Sequence, residues 1–135
     1  MFQISAKTDY GLLIMMELAR YSGQILPLSP IAKVLGVSSS YLSQVAKSLQ
    51  DAGLIKSKEG SGGGYYLAHE PKDIKVLDVL EALSGEIKVR CAHSKTKACP
   101  HFNECGLKSV WPLLLSDIKN GLGQRNLASL LDIKI

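Results

Sequence analysis

The 135-residue sequence has no apolar run approaching the roughly 18 residues needed to cross a bilayer. Near the N-terminus, Lys7 and Asp9 precede an apolar run no longer than Leu12 to Met16. These absences argue against a membrane span and a secretory leader, and they predict a cytoplasmic protein whose thiols stay reduced. Only three cysteines occur, an odd number, which argues against a pure disulfide framework. No two of them stand in the close CxxC spacing that structural zinc sites prefer. There is no internal repeat, and no low-complexity tract beyond one glycine cluster at Gly60-Ser61-Gly62-Gly63-Gly64. No Gly-Lys-Ser/Thr ends that cluster, which excludes a phosphate-binding P-loop. Neither sign of charge dominates: 21% of residues are charged and the net charge is +4. A mildly basic chain that is 46% hydrophobic reads as one soluble domain, or one domain with an appendage, that permits nucleic-acid binding without proving it.

What is present falls into a clear order. Residues 5–21 read as a helix, capped by Ser5 and stopped at Gly23. Its apolar residues, from Tyr10 to Ala19, cover most of the circumference, so it is buried on several sides, within one subunit or partly against a second. Ser29-Pro30 opens a short helix that stops at Gly36-Val37, with Ser29 as its cap. Ser38 caps a second helix that runs to Asp51 and stops at Gly53. Leu42, Val45 and Leu49 give this second helix one narrow apolar edge; its other faces show Ser39, Ser40, Ser43, Gln44, Lys47 and Ser48. Two short helices joined at a glycine turn make a helix-turn-helix, and hydroxyls, an amide and a lysine suit a helix entering the major groove. Residues 54–58 and 65–68 then read as strands around the glycine cluster, a hairpin that after a recognition helix serves as a wing. A short amphipathic helix is expected over 76–84, stopped by Gly85. After the cysteines, Leu107, Val110, Trp111, Leu114, Leu115 and Ile118 mark a long helix ending near Gly121, with Gly121 and Gly123 as its stops and Pro112 either in its first turn or kinking it. This leucine-rich helix has little core to pack on and is expected at a dimer interface. Asn126 caps a last short helix through Leu131.

All three cysteines, Cys91, Cys99 and Cys105, lie in one segment without hydrophobic periodicity. Lys88, Arg90, Lys95, Lys97 and Lys108 surround them against Glu104 alone. Several readings compete: free thiols, a zinc site completed by His93 or His101, a catalytic thiol, or an iron–sulfur cluster held by three thiolates and a weaker fourth ligand. Three clustered thiols are more than a catalytic thiol needs, and an incompletely thiolate-ligated cluster is open to small reactive molecules, as a sensor requires.

The wing Gly60 to Tyr65, the recognition segment Ser40-Tyr41-Leu42-Ser43-Gln44, and the cysteine trio before a Trp-containing helix together resemble the Rrf-type winged-helix transcriptional regulators. The resemblance covers nearly the whole chain. It implies a homodimer, a double-stranded DNA operator of approximate two-fold symmetry, and an iron–sulfur cluster that controls DNA affinity. The iron–sulfur-assembly branch (IscR-like) places a histidine ligand where this chain has Lys108. The nitric-oxide-sensing branch (NsrR-like) resembles Thr8-Asp9-Tyr10-Gly11-Leu12, and in it the aspartate can ligate a 4Fe–4S cluster from the partner subunit. The resemblance therefore implies Cys91, Cys99, Cys105 and Asp9 as ligands, with His93 and His101 as alternatives to Asp9. A 4Fe–4S cluster is expected, with 2Fe–2S as the alternative, and nitric oxide or oxygen as the signal. Glu59 stands where relatives often carry arginine, which weakens the expected wing contact, although Lys56 and Lys58 can compensate.

The reading is thus a mainly α protein with a small β-hairpin wing, a regulator and not an enzyme, with no catalytic residues. Residues 1–85 form the winged helix-turn-helix with its wing at 54–68, residues 86–105 the cluster-binding loop, and residues 106–135 the dimerisation helix and C-terminal tail. Ser38, Ser39, Ser40, Tyr41, Ser43, Gln44, Lys47, Lys56, Lys58, Ser61, Gly62 and Gly63 are the expected DNA contacts. The competing readings are a cluster-free or zinc-bearing regulator and an electron-transfer or cluster-carrier protein that binds no DNA.

Overall fold

A computed structural model describes residues 4–88 and 104–133. Helix α1 (Ala6–Arg20) is followed by α2 (Ser29–Leu35), α3 (Ser39–Asp51), the strands β1 (Ile55–Lys58) and β2 (Gly64–Leu67), a short 3-10 turn over Pro71–Asp73, α4 (Val76–Ser84), α5 (Leu107–Gly123) and α6 (Leu127–Leu131). This is the expected mainly helical chain with one antiparallel hairpin, in register Ile55 to Leu67 and Lys58 to Gly64.

Local chemistry sets most boundaries. The Ser5 hydroxyl accepts the Thr8 N–H at 3.3 Å and the Ser38 hydroxyl accepts the Tyr41 N–H at 3.1 Å, so each serine satisfies a donor that its helix leaves open. At α2 the cap lies one residue earlier than the sequence suggests: Leu28 is the capping residue, and Ser29 already belongs to the helix with Pro30 behind it. Proline tolerates either of the first helical positions because no intrahelical acceptor exists there for its missing N–H. Gly36, at φ +69°, ends α2 in the left-handed region and turns the chain into α3. Pro112 is the sixth residue of α5 and so lies past its first turn, where the helix forgoes one backbone bond. The helix also carries through Gly121 to Gly123.

The core is built around α1. Ile14, Met15 and Leu18 are fully buried, and α1 packs against α3, α4 and α6. Leu42, Val45, Ala46 and Leu49 bring the inner face of α3 into the same core, with Val79 and Leu83 from α4 and Leu127 from α6. The C-terminal helix, which the sequence groups with the dimerisation helix, is thus seated on the winged-helix core. Backbone bonds hold it there: the Val76 N–H donates to the Arg125 carbonyl (2.9 Å) and the Leu127 N–H to the Ile74 carbonyl (2.8 Å).

Helices α1 and α4 approach each other closely at Gly11. A Cβ there would lie 2.9 Å from Leu83 Cγ and closer still to both methyl groups, and Leu83 is itself buried. Gly11→Ala should therefore lower stability by about 1 kcal/mol net, with overpacking of about 1–3 kcal/mol offset by about 1 kcal/mol of helix propensity. In a Leu83→Ala background the same substitution should stabilise by about 1 kcal/mol, since only the propensity gain remains. Urea unfolding of the four proteins checks this; the same sign in both backgrounds would remove Gly11 from helix packing.

Candidate nucleic-acid interface and cysteine segment

Helix α3 separates its faces sharply. Leu42, Val45, Ala46 and Leu49 are buried, whereas Ser39, Ser40, Ser43, Gln44 and Lys47 are all exposed. Helix periodicity brings Ser40, Ser43, Gln44 and Lys47 to one outward surface. Lys47 pairs with Asp51 one turn on (3.4 Å), an exposed and weak ion pair that a stronger anion can displace. Two of the sequence-predicted contacts have structural work as well. The Ser38 hydroxyl is engaged as the α3 cap, and Tyr41 is half-buried, its ring edge-on to Tyr10 of α1 with centroids 5.7 Å apart. Tyr41 therefore fixes α3 on α1 while its flank stays accessible.

The wing stands beside this surface. Ile55 is buried, and alternation along β1 turns Lys56 and Lys58 to the opposite, exposed side. Ser61 and Gly62 are exposed at the tip, with Glu59 beside them, and Gly63 is half-buried. The glycines have a steric reason to be there in addition to any ligand. A Cβ on Gly63 would meet the Gly60 carbonyl at 2.8 Å, and one on Gly64 would lie 2.7 Å from the Pro27 nitrogen.

Two features of the interface were not visible in the sequence. Leu26, in the loop before α2, exchanges both backbone bonds with Tyr65 (2.9 and 2.8 Å), so the wing hangs on the helix-turn-helix entry loop. A one-residue bridge has no periodicity to read. The Gln50 amide donates to the Ser57 hydroxyl at 3.1 Å, tying the end of α3 to β1. Only the occurrence of two polar side chains near the α3–β1 junction hinted at it.

Of the cysteines, Cys105 lies among the described residues; Cys91 and Cys99, like His93 and His101, lie outside them. Cys105 is half-buried and carries a free thiol. Its carbonyl accepts the Lys108 N–H at 3.3 Å, which sets it at the start of α5. Asp9 is exposed in the first turn of α1 and has no ion-pair partner among the described residues. Among those residues no group of three or more His, Cys, Asp and Glu side chains is placed to hold a metal. The donor set of three thiols and one carboxylate nonetheless suits an iron–sulfur cluster in kind, since such clusters take thiolates and tolerate a weaker fourth ligand.

Helix α5 presents an unusual surface. Of its apolar residues only Leu115 is buried; Leu107 (50% exposed), Val110, Leu113 (62%), Leu114 and Ile118 face outward. Leu107, Val110, Leu114 and Ile118 recur at spacings of three and four and form one stripe. Among the described residues no helix is long and apolar enough to cross a membrane.

Comparison with known proteins gives a consistent set. A model of the Rrf2 family, described as iron-dependent transcriptional regulators, matches residues 4–133. The transcriptional regulator CymR of Bacillus subtilis is 43% identical over 86 residues, which are 63% of this chain and 62% of that protein. IscR of Vibrio atlanticus is 32% identical over 130 residues, 96% of this chain and 75% of its own. Among solved structures, CymR of B. subtilis, described as its global cysteine regulator, covers 100% of both chains with a TM-score of 0.75 and 32% identity. IscR of T. potens covers 96% of this chain and 86% of its own with a TM-score of 0.72 and 36% identity.

The bridge between Leu26 and Tyr65 makes the wing sensitive to one atom. Gly64 has φ +153°, and an added Cβ would press on the Leu26 backbone, which cannot rotate away as a side chain can. Gly64→Ala should break that bridge: amide exchange at Leu26 and Tyr65 should accelerate strongly while Ile14 and Leu49 keep their protection. Unchanged protection at Leu26 and Tyr65 would show that the wing does not depend on this approach.

Proposed function

The chain belongs to the Rrf2 family of transcriptional regulators, and from that premise we propose that it is a cytoplasmic, homodimeric, operator-binding regulator whose DNA affinity is set by an iron–sulfur cluster. The observation that carries the regulatory half is that all three cysteines fall within one segment whose last member, Cys105, heads α5. Cys91, Cys99 and Cys105 would hold the cluster from one subunit and Asp9 from the other. A 4Fe–4S form suits four such ligands, with 2Fe–2S as the alternative. When bound, the group supplies a centre that reacts with nitric oxide or oxygen.

The chain's own residues do the rest. Lys56 and Lys58 on the wing and Lys47 on α3 neutralise phosphates and set the protein on the duplex. Ser39, Ser40, Ser43 and Gln44 face the groove, and the Gln44 amide can pair with an adenine edge. Ser38, Ser61, Gly62 and Gly63 bring backbone and small side chains against the sugar-phosphate chain, and the accessible flank of Tyr41 adds to them. The stripe of Leu107, Val110, Leu114 and Ile118 supplies the apolar face that a second copy of α5 would cover, so two recognition helices reach two half-sites. Glu59 opposes phosphate at the wing tip and limits contact there. A second reading is a regulator whose thiols hold no cluster or hold zinc; the 43% identity to CymR, described as a global cysteine regulator, keeps a role other than cluster sensing in view.

Three measurements test the reading and its parts. Protein purified without air should carry iron and sulfide, and Cys91→Ala, Cys99→Ala or Cys105→Ala should each abolish or strongly destabilise the cluster. Zinc alone, or no metal, in such preparations would favour the second reading. Asp9→Ala should leave folding intact but shorten cluster lifetime more than His93→Ala or His101→Ala does; a histidine variant with the larger effect would move the fourth ligand there. In DNA titrations, Gln44→Ala should weaken a specific site by about 1–3 kcal/mol and spare nonspecific DNA. Lys58→Ala should weaken both and lower the salt slope by about one. Equal losses on both DNAs for Gln44→Ala would take it out of base readout.

A further inference from the structure

Helices α4 and α5 run antiparallel and are fastened at two points. At the base, backbone bonds join Val76 to Arg125 and Ile74 to Leu127. At the other end the fastening is ionic. Lys119 of α5 places its ammonium 3.7 Å from the Glu81 carboxylate of α4 and 3.4 Å from the Glu86 carboxylate just beyond it. Lys88 holds the second oxygen of Glu86 at 3.4 Å, and the Glu81 carboxylate accepts the Ile87 N–H at 3.3 Å. Lys119 and then Lys88 hold the Glu86 carboxyl below the usual carboxylate range. One ammonium thus bridges two carboxylates, Glu81 on α4 and Glu86 on the stretch that leads into the cysteine segment. The Lys119 and Glu81 side chains are each largely shielded, at 27% and 28% exposure.

Beyond Lys119 toward its N-terminus, α5 extends about 18 Å to Leu107, at 1.5 Å per residue. Only Leu115 in that overhang is buried, so within the subunit little packing fixes its direction. A backbone hinge at one end and an ionic pin at the other leave the pin to set the angle. Helix α4 in turn packs on α3, the helix with the exposed polar face.

We propose that Lys119 is a positioning residue: by holding Glu81 and Glu86 together it sets the angle of α5 on the winged-helix body and couples the state of the cysteine segment to the spacing of the two recognition helices. The coupling rests on the regulatory reading above; the angle does not. Isolated surface ion pairs add little stability, so the effect sought is on geometry rather than on unfolding.

The test uses Lys119→Met, Lys119→Arg and Glu86→Gln in the full chain. The probe is a duplex selected from a random-sequence library by the parent protein, remade with its half-sites one or two base pairs closer or farther apart. Each protein is titrated as isolated without air and again after removal of any metal by chelation. Lys119→Met should remain folded and dimeric but shift or broaden the spacing optimum of the metal-free protein, and Lys119→Arg should restore it. In the parent, the two forms should differ several-fold in affinity; in Lys119→Met and Glu86→Gln this ratio should fall below two-fold. A Lys119→Met protein that keeps both the parent's spacing profile and its ratio would overturn the proposal. A parent whose two forms bind alike, while Lys119→Met still shifts the profile, would sink the regulatory reading and leave the positioning role standing.

Discussion

The burial of α1 is the constraint on which the rest of the molecule depends. A helix that is apolar around most of its circumference cannot lie on a surface; it must be enclosed. Ile14, Met15 and Leu18 are enclosed by α3, α4 and α6, and each of those helices is oriented by the face it turns to α1. Helix α3 is the clearest case. Because Leu42, Val45, Ala46 and Leu49 point inward, Ser40, Ser43, Gln44 and Lys47 have to point outward. The direction of the polar face is therefore a by-product of core packing, with Tyr41 against Tyr10 fixing the rotation.

Much of this was legible in the sequence because it is local. Ser5, Ser38 and Asn126 as caps and Gly36 as a stop are decided by orphan N–H groups and one backbone angle, and a window of a few residues contains that information. The glycine cluster announced the hairpin for the same reason. What could not be read was non-local. Nothing near Leu26 says that it pairs with Tyr65, and nothing near Leu127 says that it enters the core that holds α1. The contact of Gly11 with Leu83 joins positions far apart in the chain, and glycine within an otherwise apolar helix reads as a weakness until its neighbour is known. The polar face of α3 was legible as a set of residue types, but its attachment to β1 through Gln50 and Ser57 was not.

The two faces of the proposed regulator make opposite physical demands. The face with α3 and the wing is exposed, polar and cationic, and long-range attraction to phosphate would act on it without close packing. The α5 stripe is apolar and gains only on close contact, because burial of its leucines is what would stabilise an assembly. Helix α4 lies between them, packed on α1, α3 and α5 together. Motion of α5 on the body therefore has a packed path to α3 through α4, whose Val79 and Leu83 are buried.

The docking of α6 on α1 has a consequence for synthesis. The chain emerges from the ribosome N-terminus first, so α1 leaves the exit tunnel long before α6. Its core is not closed until Leu127 arrives, more than a hundred residues later. Through most of translation the apolar sides of α1 that α6 will cover stay open, a state prone to aggregation and dependent on chaperones. A nascent chain halted between α3 and α6 would carry the recognition helix on an unfinished core, so competence to occupy a promoter would appear late and all at once.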